Sequence, residues 1–192
     1  MMRGANRLLR DCVLYKSEVI TGMEIVTEVL MEYVEALCDA GLISVALDTL
    51  LASWSGLSRS LWEEIEGPFV KEIADAIRKK GGIVFIHNCG DGPFFDSQIK
   101  FMAPAAISFA ELPDDCKERK ELKNKYGDQV ILVGNINTSL LSRGTPEEIK
   151  AECRQIIEDL APEGNFVLAP GCEFPPNAPF KNAEAIIEAA RI

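Results

Sequence analysis

The sequence predicts an α/β protein built on a parallel sheet, and three observations support this. Short apolar runs alternate with longer amphipathic segments, glycines separate many of them, and polar or metal-ligating side chains follow the runs. Strands that alternate with helices form parallel sheets, whose functional residues lie at the carboxyl ends of the strands. The pattern is typical of a partial (β/α)₈ TIM barrel. A complete barrel usually needs ~250 residues, whereas this chain has 192. Either an upstream part of the barrel is missing, or the fold is an open or associated sheet.

The first half of the chain contains two predicted helices and two predicted strands. An amphipathic stripe predicts a helix that Gly41 ends. Ser60 followed by Glu63 has the spacing of a capping box and predicts the start of the next helix. Gly81 and Gly82 then end that helix before a second apolar run. The expected order is helix 22–40, strand 42–47 closing at Asp48, helix 60–80 and strand 82–86.

The second half repeats the alternation three times, which gives five predicted strands in all. Thr145 precedes Pro146 and Glu148, so a cap, a proline at the first helical position and a glutamate at the third predict a helix start. The expected order is strand 105–109, helix 117–125, strand 130–133, a helix from 145, strand 165–169 and helix 180–190.

Composition predicts one globular domain, residues 1–192, in the cytoplasm. The chain is 47% hydrophobic and 26% charged, and it has no apolar stretch near the length that crosses a bilayer. A net charge of −10 argues against a nucleic-acid partner, because phosphate binding needs a basic face. Four of the six cysteines have no framework spacing and are interpreted as reduced packing residues: Cys12, Cys38, Cys116 and Cys153.

Three residues predict a zinc site. His87 and Cys89 follow the apolar run 82–86, and alternate residues of an extended segment point to the same side. Cys172 follows the run 165–169, so its strand end can meet theirs in a parallel sheet. Imidazole and thiolate are ligands that Zn²⁺ prefers, and three protein ligands leave the open position of a catalytic zinc. The alternative is that the cysteines only pack, because free cysteine is among the most buried residue types.

Three polar residues end other predicted strands and are candidate catalytic groups: Asp48, Glu111 and Asn135. They could hydrogen-bond the metal ligands or line the pocket. Each could equally cap a loop. Trp54 and Trp62 flank a loop and a helix start, and we interpret both as packing residues rather than as ligand-stacking residues.

Several segments together resemble the uroporphyrinogen decarboxylase superfamily, in particular its zinc-dependent methylcobamide:coenzyme M methyltransferase branch. They are Ile86-His87-Asn88-Cys89-Gly90, Val133-Gly134-Asn135-Ile136-Asn137, Gly144-Thr145-Pro146-Glu147-Glu148, Leu168-Ala169-Pro170-Gly171-Cys172 and Pro175-Pro176-Asn177-Ala178-Pro179. The resemblance implies the last five βα units of that family's barrel, with Zn²⁺ held by His87, Cys89 and Cys172. It also implies methyl transfer from a methyl-Co(III) corrinoid, carried by a partner protein, to a zinc-bound thiol such as coenzyme M. Corrinoid-dependent O-demethylating methyltransferases are also relatives, and these motifs do not exclude them.

Two alternatives remain open. One is a cofactor-free decarboxylase, although those enzymes typically carry Gly-His-Gly where this chain has Gly171-Cys172-Glu173. The other is a catalytically incompetent fragment that self-associates as a homo-oligomer. Family members are much longer than this chain, and their upstream barrel strands have no counterpart here. We therefore expect thiol binding without efficient turnover from the chain alone.

Overall fold

A computed structural model describes residues 3–191, so the ends of the predicted domain, Met1, Met2 and Ile192, lie outside the described residues. All five predicted strands are present, and each pairs in parallel with the next along the chain, in the order β1-β2-β3-β4-β5. This confirms the parallel α/β sheet. The strands are β1 Ser44–Asp48, β2 Ile83–Asn88, β3 Ala106–Phe109, β4 Ile131–Ile136 and β5 Phe166–Pro170.

Helices connect successive strands and also precede the first one. The capping box at Thr145 is confirmed, because its hydroxyl accepts from the Glu148 amide while the Glu148 carboxylate accepts from the Thr145 amide. Within residues 3–191 no helix is long and apolar enough to span a membrane. The helices are α1 Ala5–Leu14, α2 Lys16–Asp39, α3 Arg59–Ile65, α4 Gly67–Lys79, α5 Phe95–Met102, α6 Arg119–Tyr126, α7 Thr138–Arg143, α8 Pro146–Leu160 and α9 Phe180–Ala190.

The helix predicted over 60–80 is wrong in two respects. Ser58, not Ser60, is the N-cap and accepts a hydrogen bond from the Leu61 amide. The segment is also divided at Glu66 into α3 and α4. Pro68, in the first turn of α4, explains the division, because proline has no amide hydrogen and its ring clashes with the preceding turn of a continuous helix.

The helices cover one face of the sheet only. Alternate strand residues, among them Val84, Ile107 and Leu132, belong to the buried core that the helices complete. The residues between them face the other way, and Ile83, Val167 and Ile131 are 46%, 50% and 38% exposed. An apolar sheet face is therefore open among the described residues. This is the face that a closed barrel would turn inward.

Candidate metal centre at the carboxyl ends of the strands

His87 and Cys89 lie where β2 ends, and the side chain of Asn88 between them fixes the local backbone. The Asn88 amide nitrogen donates to the carbonyls of Thr49 and Ala52, at 2.9 and 3.1 Å. Its oxygen accepts from the Gly90 amide at 2.9 Å. Asn88 is fully buried, so its side chain ties the β2 end to the loop after β1 while its neighbours stay half-buried. Sequence reasoning missed this role, although Asn88 stands inside the motif.

Gly90 is required by a close approach of two loops. A Cβ at this position would lie 2.2 Å from the Ser53 hydroxyl oxygen, which is far inside contact distance. The Ser55 hydroxyl accepts from the Asp91 amide across the same approach, at 3.1 Å. The loop that follows Cys89 therefore packs directly against the loop that follows β1.

Cys172 reaches the site by a second close approach. The Gly171 amide donates to the Ile136 carbonyl at 2.8 Å, and a Cβ on Gly171 would lie 2.8 Å from the Ala110 Cα. Only glycine therefore lets this segment pass so near the ends of β3 and β4. Cys172, the residue after Gly171, is therefore placed on the inner side of the strand ends.

The ligand atoms of His87, Cys89 and Cys172 all lie within 4.8 Å of one another. Two strands, β3 and β4, separate β2 from β5, so a flat sheet would keep their ends about 14 Å apart at ~4.8 Å per strand. The segment at Gly171, which passes close to the ends of β3 and β4, carries Cys172 across part of this gap. The structure thus brings together the three residues that the sequence singled out.

The donor set of this cluster fits zinc. Each of the three residues is half-buried, so a shared ion would be partly shielded from water. In a tetrahedral site with ~2.3 Å Zn–S bonds, two sulfurs lie roughly 3.8 Å apart, which is compatible with the spacing here. Burial, with the hydrogen bond and charge of Cys172, raises the pKa of Cys89 to about 11 in the absence of a cation. A dication would reverse this effect, since coordination favours thiolate.

Ser108 is a further residue at the cluster that sequence reasoning missed. It lies on β3 in register with His87, and its Oγ is 3.0 Å from His87 Nδ1. The only signal in the sequence is a hydroxyl within an otherwise apolar strand, which is common in strands without a site.

The predicted catalytic residues occupy different surroundings. Asp48 ends β1 in register with His87, and its charge contributes to the raised pKa of Cys89, so its carboxylate lies near the cluster. Asn135 accepts from Arg119 Nε at 2.9 Å and donates to the Ala110 carbonyl at 3.0 Å, which ties β4 to the start of α6 and to the residue after β3. Glu111 is exposed just beyond β3. Catalytic roles for these three residues stay predictions.

The two tryptophans differ. Trp62 is fully buried, and its ring contacts Phe101 edge-to-face with centroids 5.6 Å apart, as expected for packing. Packing was the wrong expectation for Trp54, which is 68% exposed and rests against the backbone of Gly92. The sequence could not distinguish the buried tryptophan from the exposed one, because the apolar pattern is similar around the loop position and the helix position.

A second group of possible metal ligands consists of three carboxylates, whose ligand atoms also lie within 4.8 Å of one another: Asp96, Asp114 and Asp115. Arg59 forms ion pairs with Asp96 and Asp114, and Asp115 accepts from Tyr126 and Lys125. These cations and donors already compensate the three carboxylates, so the cluster calls for no ion.

The fold and site place the chain among barrel proteins with functional groups at the strand ends. The profile of the uroporphyrinogen decarboxylase (URO-D) family matches residues 1–192. The chain therefore belongs to the uroporphyrinogen decarboxylase family. A solved methyltransferase from Methanosarcina mazei superimposes with a TM-score of 0.76 over 96% of this chain and 52% of that chain, at 23% identity. This confirms the partial barrel of the family's fold.

Three curated relatives carry the names of two different activities. The methylcobamide:CoM methyltransferases MtbA of Methanosarcina mazei and Methanosarcina acetivorans are 23% and 24% identical to the chain, over 183 and 181 residues. Each match covers 90% of this chain and 51% of the relative, so the chain spans about half their length. A uroporphyrinogen decarboxylase of Chlorobium phaeovibrioides is 31% identical over 138 residues, which is 69% of this chain and 36% of that protein.

Proposed function

We propose that the chain carries the zinc centre of a methyltransferase that moves a methyl group from a methyl-Co(III) corrinoid to a thiol such as coenzyme M. The observation that supports this most is the convergence of His87, Cys89 and Cys172, whose ligand atoms lie within 4.8 Å of one another. The similarity to two methylcobamide:CoM methyltransferases supports it independently.

When bound, zinc would supply Lewis acidity that lowers the pKa of a thiol at the open fourth position. Cys89 and Cys172, as thiolates, offset both positive charges of the ion, and neutral His87 adds none. The acceptor sulfur therefore keeps its negative charge and its nucleophilicity. Asp48 is proposed as a pocket group that adds negative potential beside the site, since its charge already acts on Cys89.

In the proposed transfer, a lone pair of the acceptor sulfur forms the new S–C bond. The Co–C bond breaks and its electron pair stays on cobalt, which passes from Co(III) to Co(I). The corrinoid would be presented by a separate protein over the loops that follow the strands, near Glu111 just beyond β3 and Asn135 near the end of β4. A cytoplasmic location fits this proposal, because reducing conditions keep the ligand cysteines available.

A decarboxylase is the second candidate, and the 31% identity to a uroporphyrinogen decarboxylase favours it. Such an enzyme would work without a metal and would need cations for its substrate's carboxylates. Cys172, at the position where the resemblance leads one to expect histidine in decarboxylases, argues for the methyltransferase. Metal dependence separates the two activities.

The test is demethylation of methylcobalamin, followed by loss of its methyl-cobalt absorbance, with coenzyme M and with simpler thiols. We expect zinc-dependent transfer that is slow, because half the length of the relatives is not represented in this chain, and positioning alone can supply ~7–11 kcal/mol of a barrier. Cys172→Ala should abolish even the slow rate, whereas Cys153→Ala, a change far from the cluster, should not.

Fast transfer by the 192-residue chain would show that it already holds the complete pocket and would contradict the expected slow rate. A rate equal to that of thiol and methylcobalamin alone, for every thiol tried, would contradict the proposed function. Decarboxylation that survives complete removal of metal would favour the second candidate.

A further inference from the structure

His87 can bind a metal through only one of its two ring nitrogens, and its surroundings distinguish them. Nδ1 lies 3.0 Å from the hydroxyl oxygen of Ser108, within hydrogen-bond distance. The two residues are direct register partners on β2 and β3, so their side chains leave the same face of the sheet. Ser108 is only 9% exposed, and little water can compete for this contact.

The Ser108 hydroxyl can accept from Nδ1–H or donate to an unprotonated Nδ1, and a ring that binds a metal through Nε2 requires the first arrangement. Neutral imidazole carries one N–H donor and one lone-pair acceptor, and the partner of one nitrogen sets the role of the other. With Nδ1–H donating to Ser108 Oγ, the lone pair is on Nε2. Nε2, the nitrogen that does not contact Ser108, is then the ring atom left to bind an ion shared with Cys89 and Cys172.

We propose that Ser108 is the positioning residue of the metal centre, acting through His87 by fixing its tautomer and ring orientation. The inference rests on the proposed zinc site and deepens it. A serine at this place has a chemical consequence that a carboxylate would not have. A neutral hydroxyl adds no charge to a zinc ion whose two positive charges are offset by two thiolates.

Because the chain contains a single histidine, its tautomer can be read directly. We suggest ¹⁵N-histidine NMR of the untagged, metal-free chain at a pH where the ring is neutral. The wild type should show a protonated Nδ1 and a bare Nε2. Ser108→Ala should shift the ring toward the Nε2–H tautomer that dominates in water, and Ser108→Thr, which retains the hydroxyl, should restore the wild-type signals.

Zinc affinity, measured by chelator competition, gives the second readout. Loss of a hydrogen-bond partner behind a metal-bound histidine typically weakens binding 10–100-fold. The zinc affinity of Ser108→Ala should be lower than that of the wild type by about that factor. The affinity of His87→Ala should be lower still, and Ser108→Thr should lose much less affinity than Ser108→Ala. Ser97→Ala is the matched control, because this buried serine bonds Glu63 and Arg59 away from the cluster and should leave zinc affinity unchanged.

An Nε2–H tautomer in the wild type, or wild-type tautomer and zinc affinity in Ser108→Ala, would overturn the inference. Equal losses of zinc affinity in Ser97→Ala and Ser108→Ala would also overturn it, by showing a general effect on folding. A wild-type chain that binds no zinc would overturn the proposed function instead, and the tautomer would still report whether Ser108 fixes the ring.

Discussion

Glu66 is a buried carboxyl group at the junction of α3 and α4. Its Oε2 is inaccessible to water and has no hydrogen-bond partner among the described residues. Burial raises the pKa of Glu66 to about 7, the nearby charge of Asp48 adds to the shift, and the indole of Trp62 opposes it. The folded protein therefore holds Glu66 protonated at pH values where an unfolded chain would have released the proton.

The stability of the protein should consequently fall as pH rises between about 4.5 and about 7, the free and folded pKa values of Glu66. Below that pH window Glu66 is protonated in both the folded and the unfolded state. Above it, the stability that Glu66 contributes is fully lost. Glu66→Gln mimics the protonated form, so it should remove this slope and gain up to roughly 3 kcal/mol above pH 7. Urea unfolding at a series of pH values measures this.

Glu72→Gln, on the exposed side of α4, is the control and should leave the pH dependence unchanged. The raised pKa of Glu66 would be contradicted by a wild-type stability that does not change between the two pKa values. A pH dependence that Glu66→Gln does not alter would also contradict it.

The site residues could be predicted to different degrees. His87, Cys89 and Cys172 carry distinctive metal-binding chemistry and follow apolar runs, so their meeting at 4.8 Å or less was predictable. Ser108 was not, because its role depends on strand register rather than on any spacing in the sequence. The 68% exposure of Trp54 likewise could not be predicted from the sequence.

At the scale of elements, strands were easier to predict than helix starts. The apolar runs end sharply at Gly or polar residues, and each strand was found within three residues of the expected bounds. The helix expected over 22–40 instead starts at Lys16, and α1 was not predicted. Their periodicity is obscured by exposed apolar residues, such as Val13, Leu14 and Tyr15, which are 68%, 60% and 53% exposed.

At the scale of the whole molecule, the open apolar face of the sheet matters most, because it favours association. Ile83, Ile131 and Val167 form an exposed apolar surface, and β1 and β5 are edge strands within the described part of the chain. Open edges and apolar faces favour association. We expect the chain to self-associate through this face at micromolar concentration, as measured by sedimentation velocity.

Val167→Lys should shift the chain toward monomer, because it places a charge on this face and leaves Phe166 and Leu168, which pack against the core, unchanged. Ile187→Lys, at a comparably exposed position on α9, should not. A wild-type chain that sediments as a stable monomer would mean that the open face is tolerated in water.

The proposed zinc centre requires that one zinc ion binds His87, Cys89 and Cys172. Elemental analysis of the purified chain, combined with X-ray absorption at the zinc edge, tests it directly. We expect one zinc per chain in the wild type, with one nitrogen and two sulfur ligands from the protein. Cys89→Ala and Cys172→Ala should each lose the metal, and Cys38→Ala should retain it. A wild type without zinc, or unchanged zinc content in both site variants, would contradict the account.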